Sequence, residues 1–154
     1  MQISDLFLGG VAGLNGEEMK NGEGRLRLSG ADYILTRAGN AGAWQNAHLH
    51  GGVTPATGEG VRELYIVQSE WMAFVTETAE GNKVEKLYAG AVVISEPGQA
   101  HNVYLPIGAV IHTFKFGKPV GNPDKNGSDW WPASEAFDAW TKALSEADIN
   151  NRPA

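Results

Sequence analysis

The sequence predicts an all-β protein of the sandwich or barrel class, with one amphipathic helix near the C-terminal end. Three observations carry this. Short alternating or β-branched apolar runs recur from Arg25 to Phe116. Turn signals punctuate them. Apolar residues at helical spacing come after Pro132. Glycine, at 20 residues, is spread along the chain, as many tight turns between short strands require.

In order, residues 1–24 are glycine-rich and weakly patterned, and are expected to form an irregular leading segment with one short element. Residues 25–29 alternate strictly, residues 33–37 form a second run, and residues 43–50 a third. Residues 61–78 are long, apolar and β-rich, which predicts two strands broken near Ser69 and Glu70. Glu80-Gly81-Asn82 is a turn signal. Strands follow over residues 83–88, 91–95, 101–105 and 109–116, separated by Gly90, Pro97-Gly98 and Pro106-Ile107-Gly108. Residues 118–128 hold two prolines, two glycines and two asparagines and read as a loop. Pro132 then suits a first helical turn, and Phe137, Trp140, Leu144 and Ala147 follow at spacings of three and four. This helix is expected to pack outside the β-structure, anchored by Trp130 or Trp131. The division is a leading segment (1–24), a barrel (25–117), and a loop with a helix (118–154).

The length of 154 residues suits one domain. The net charge of −6, without a basic stripe, argues against nucleic acid as a partner. No cysteine is present, which excludes disulfides and zinc–thiolate sites. No basic leader and no apolar run of membrane-spanning length is visible, so no membrane role and a cytoplasmic location are expected. The glycine-rich loop of residues 51–60 lacks a Gly-Lys-Ser/Thr ending, so it is not a phosphate cradle. A lid over the barrel mouth and a plain loop are both open. No nucleophile elbow occurs.

Three histidines and one glutamate carry the chemistry. His48 and His50 stand as His-Leu-His, and i and i+2 residues of a strand share a face, so the two imidazoles converge. Two more ligands from other strands would complete the shell of a borderline metal ion. The chain has four histidines, and His101 is the third placed in one pattern. Gly42-x5-His48-x-His50, a glutamate, and Gly90-x7-Gly98-x2-His101 together resemble the two-part signature of the cupins. Glu63 fits the glutamate of that signature by the residues after it, with Glu70 where the pattern has glycine. The likeness covers roughly residues 33–116. Three departures are a long gap over residues 51–62, which makes Glu59 a rival carboxylate, a proline displaced to Pro97, and Leu105 in place of an asparagine.

The resemblance implies a cupin-type, jelly-roll-like antiparallel β-barrel, with one divalent transition metal ion (Zn, Ni, Mn or Fe) held inside by His48, His50, Glu63 and His101. It further implies a metal-dependent enzyme of isomerase, epimerase or lyase type on a small polar substrate such as a sugar or keto acid. An Fe(II) dioxygenase, a metal- or sugar-binding module, and a metal-free enzyme using the histidine pair as acid and base are the alternatives. His112 is expected to face inward, on the premise that Lys115 faces outward, and is the first choice for a general base; a core histidine bonded to backbone is the competing reading. Tyr65 shares a face with Glu63 and is the second catalytic candidate, against a plain wall residue. Trp44 and Asn46 share the His48 face and are expected at the pocket mouth. Leu49, Leu64 and Ile66 then point outward, to be covered by another element or by a second copy in a homodimer.

Overall fold

The computed structural model describes residues 15–19, 23–28, 31–39, 41–51, 60–117 and 130–152. The loop expected at 118–128, most of the glycine-rich loop and Glu59 lie outside the described residues. The strands are β1 (Asn15–Met19), β2 (Glu23–Leu28), β3 (Ala31–Arg37), β4 (Ala43–Trp44), β5 (His48–His50) and β6 (Val61–Ser69). They continue as β7 (Trp71–Thr78), β8 (Gly81–Tyr88), β9 (Val92–Ile94), β10 (His101–Leu105), β11 (Val110–Gly117) and β12 (Trp130–Pro132). Two helices follow, α1 (Glu135–Ala143) and α2 (Glu146–Asn150). One antiparallel sheet runs β1-β2-β3-β11-β6-β9; the other runs β12-β5-β10-β7-β8, with β4 also paired to β10. The two ladders share no strand among the described residues, so the barrel is two facing sheets rather than a closed ring.

The expected break at Ser69-Glu70 is the β6–β7 turn, where Glu70 has φ 60°. An L-residue pays a steric cost there that glycine avoids. The run expected over residues 43–50 is instead two short strands, because the chain leaves the ladder between Trp44 and His48. Gly42 precedes it because a Cβ there would run into the Tyr104 hydroxyl.

Alternation divides each sheet into two faces. Between the sheets lies an apolar core of Tyr65, Val67, Met72, Phe74, Val103, Leu105, Ala109 and Ile111. On β6 the inward residues run Val61, Glu63, Tyr65, Val67, so the interior turns from ionic to apolar within one strand. The outer face of the second sheet is covered by the helices. Phe137 of α1 packs on Ala47, Val75 and Ala100, with Leu49 and Trp44 alongside. Ile149 of α2 packs on Ala73 and Tyr104. Asn102 donates to the Thr141 hydroxyl, tying β10 to α1 (2.9 Å). Burying a phenylalanine side chain such as Phe137 contributes about 1.5–3 kcal/mol.

The outside position of the helix agrees with the sequence reading, but its limits do not. Pro132 is the last residue of β12, and α1 starts beyond it, with Ser134 as N-cap accepting from the Phe137 amide. The single helix expected through Ala147 is broken at Leu144, whose ψ is 120°. Ser145 then caps α2 in a reciprocal box with Asp148. No helix among the described residues is long and apolar enough to cross a membrane.

Candidate metal centre

Three strands and a turn bring four side chains to one point. β5 supplies His48 and His50, and β10 pairs with it through His48 and His101. β6, in the opposite sheet, supplies Glu63. Gly98, with φ 74°, donates its amide to the His50 carbonyl and so sets the approach into β10 (3.0 Å). The left-handed backbone there suits a residue without Cβ. One ligand atom from each of His48, His50, Glu63 and His101 lies within 4.8 Å of the others. Glu63, His50 and His101 are buried, and His48 is nearly so.

The ring nitrogens show what the site can hold. His48 Nδ1 lies 2.9 Å from the Asn46 carbonyl, and His101 Nδ1 lies 2.9 Å from the Gln99 carbonyl. A carbonyl only accepts, so each Nδ1 carries the proton and each Nε2 of a neutral ring presents a lone pair to the interior. His48 Nε2 and both ring nitrogens of His50 have no hydrogen-bond partner. The two Nε2 atoms face Glu63, at 3.4 Å from Oε2 and 3.1 Å from Oε1 respectively, while His101 Nε2 is 2.8 Å from Oε2. Lone pairs of imidazole and carboxylate repel unless a cation lies among them. Burial, together with the nearby His101, lowers the His48 pKa despite the adjacent Glu63, so His48 favours its neutral form. Orphaned buried Nε2 atoms and a carboxylate fit a divalent transition metal ion.

Two further groups touch the carboxylate. The Tyr65 hydroxyl donates to Glu63 Oε2 and lies 3.1 Å from His101 Nε2. Burial, and then the Glu63 charge, raise the phenol well above its ordinary pKa, so it keeps its proton. Lys115 Nζ lies 3.0 Å from Glu63 Oε1. Burial alone would raise the Glu63 carboxyl; Lys115 and the three histidines outweigh it and hold the group well below its usual value.

Lys115 is the residue that sequence reasoning missed. It was expected to face outward and His112 inward, and the structure reverses both. On β11, Ile111, Thr113 and Lys115 line the interior cavity. His112 lies on the opposite face, where the Tyr33 hydroxyl donates to Nδ1 (2.7 Å) and Nε2 faces Gln68 Oε1 (2.7 Å). The sheet separates it from the cluster, so it cannot serve as a base there. The reason is that the outward face of β11, with Val110 and Phe114 packed on Tyr33 and Leu35, is the more apolar one, so alternation alone gave the wrong phase. The phase is fixed by the pairing of Lys115 with Glu63 across β11 and β6, which the sequence does not show.

Trp44 is not at the pocket mouth. Its indole donates to the Leu144 carbonyl under the helices (3.0 Å), because residues 45–47 break the alternation that would have aimed it inward. Asn46 does line the cavity. Trp130, expected as a helix anchor, pairs with His50 through β12 and stacks on the His48 ring at 5.7 Å. The cavity measures about 220 Å³, and its walls include Gln45, Thr113, Leu105 and Trp130. A neighbouring cavity of about 400 Å³ shares Thr36, Gln45 and Leu105 with it.

No protein-family model matches the chain, and no curated protein matches it in sequence. Solved structures do. A mutant of Bacillus subtilis oxalate decarboxylase OxdC superposes with a TM-score of 0.54 at 10% identity, over 92% of this chain and 38% of that one. Lactobacillus farciminis oxalate decarboxylase, in a formate complex, gives 0.53 at 11% identity, over 92% and 42%. The Drosophila melanogaster CENP-C cupin domain gives 0.46 at 12% identity, over 69% and 76%. The chain thus spans about two fifths of the decarboxylases it resembles. With the facing sheets and the His-His-Glu-His group, the likeness to the two decarboxylases shows a cupin fold.

Proposed function

We propose that this cupin-fold chain is a metal-dependent enzyme that moves a proton on a small polar substrate, as an isomerase, epimerase or lyase acting on a sugar or keto acid does. The observation that carries the reading is the set of four ligand atoms within 4.8 Å, with buried Nε2 atoms that have no other partner. His48, His50, Glu63 and His101 would hold Zn, Ni, Mn or Fe. When bound, the ion would supply Lewis acidity toward a carbonyl or hydroxyl oxygen. With His112 on the outer face, Tyr65 is the hydroxyl within reach. Its raised pKa keeps it protonated, so it would donate a hydrogen bond to a substrate oxygen, while water would take the proton that leaves the substrate. Gln45 and Asn46 offer amides to substrate oxygens, Trp130 offers a stacking surface, and Val103, Leu105 and Ile111 supply apolar wall.

The test has two parts. Elemental analysis of protein purified without added metal identifies the ion. Proton exchange from deuterated solvent into candidate sugars and keto acids, followed by NMR, reads the chemistry. Exchange that disappears with chelation and in Tyr65→Phe supports the reading. A loaded protein that exchanges nothing opposes it, and iron with oxygen uptake would favour the dioxygenase.

A second copy of the chain is the macromolecular partner we propose. Leu64 and Ile66 lie on the outer face beside Val92 and Ile94 of β9, which forms one end of its sheet and is exposed by 55% and 46% at those residues. Sedimentation of the purified protein decides between one and two chains.

A further inference from the structure

We propose that Lys115 is the recognition group for a carboxylate, so that the substrate is a small organic acid rather than a neutral sugar. The inference rests on the metal-enzyme reading above and narrows it. Three observations point the same way. Lys115 extends from β11 into the cavity that Glu63, His48 and Tyr65 also line, with its side chain 12% exposed. A lysine whose only task is solubility turns its ammonium to water. This one is turned inward, against the overall acidity of a chain with net charge −6.

Charge balance is the second observation. A divalent ion and one ammonium outnumber the single carboxylate of Glu63, so the loaded site carries excess positive charge. A substrate carboxylate neutralises part of it, whereas a sugar hydroxyl does not.

Placement is the third. Glu63 Oε1 contacts both Lys115 and His50, and Oε2 contacts His48 and His101, so the ammonium lies directly beside the ligand cluster. One carboxylate could therefore reach the ammonium and leave its neighbouring oxygen near the metal-ligand atoms. Thr113, next inward residue along β11, adds a hydroxyl beside it.

The probe is pyruvate, with glucose as the neutral comparison, titrated calorimetrically into zinc-loaded full-length protein. Zinc content is measured on every sample. Zinc-loaded wild type should bind pyruvate, and Lys115→Met should bind it at least about ten-fold more weakly while retaining zinc, as expected for loss of a charged hydrogen bond. Lys115→Arg should stay within about three-fold of wild type. Lys115→Gln serves in place of the methionine variant if that one fails to fold. Unchanged pyruvate affinity in zinc-loaded Lys115→Met overturns the inference, as does a zinc-loaded wild type that binds glucose but not pyruvate; both leave the metal site intact. Wild type that takes up no zinc overturns the metal reading itself, and this inference with it.

Discussion

Replacing Glu63 with Gln should destabilise the chelator-treated protein by about 3 kcal/mol. Glu63 is 2% exposed and faces Lys115 at 3.0 Å, so the exchange leaves a mostly buried ammonium without the anion it faces. Breaking a buried ion pair by removing one partner costs about 3–5 kcal/mol. Lys115 keeps 12% exposure and can lean partly toward water, which places the loss at the lower end. With an unfolding entropy of about 2.1 cal/mol/K per residue, a chain of 154 residues loses about 9 °C of Tm for 3 kcal/mol. The double variant Glu63→Gln/Lys115→Met should recover most of that, because it removes the stranded charge as well. Calorimetric scans of the wild type, both single variants and the double variant supply the cycle. A Tm for Glu63→Gln within about 2 °C of wild type, or a double variant no better than the single, would refute the argument.

Three other expectations follow from the same geometry. In chelator-treated protein, the folded pKa of His48 lies below its ordinary 6.5 and that of Glu63 well below 4.5. Both groups therefore contribute stability that is complete above those values and is lost as pH falls through the folded ones. Tm should begin to decline near pH 6.5 and fall further below pH 4.5; His48→Gln should make the first decline shallower, and a flat profile from pH 7.5 to 5.5 would contradict this. Glu70→Gly should raise stability by about 0.5–1 kcal/mol in urea unfolding, since it relieves a left-handed residue at the β6–β7 turn; a loss would mean that the Glu70 side chain matters more than its backbone. His112→Ala should leave metal stoichiometry unchanged and cost about 1 kcal/mol through its contacts with Tyr33 and Gln68, whereas loss of metal would place it back in the site.

Much of this was readable in the residues. A two-part pattern picked out His48, His50, Glu63 and His101 across three strands, because histidines are few and a metal shell restricts both type and spacing. Glycine and proline turns marked most strand limits, and the apolar spacing after Pro132 foretold a helix outside the barrel. What failed was local phase. Alternation assumes an unbroken strand, and residues 45–47 interrupt one, which sent Trp44 under the helices. On β11 the more apolar face is the outward one, so the inward set was read one residue out, and Lys115 and His112 exchanged faces. Trp130 joined the site through a strand pairing with β5 that no local periodicity encodes. Leu144 ended α1 early because Ser145 offered a new cap, a competition that spacing alone does not reveal.

Metal titration is the measurement that reaches the central claim most directly. Chelator-treated protein should take up one divalent ion per chain, with Tm rising by about 8 °C when free ion exceeds its Kd about a hundred-fold. His101→Ala and His50→Ala should each abolish that rise while remaining folded by circular dichroism. A wild type with no saturable uptake, or histidine variants that bind as tightly as wild type, would show that the four side chains are gathered for some purpose other than holding an ion.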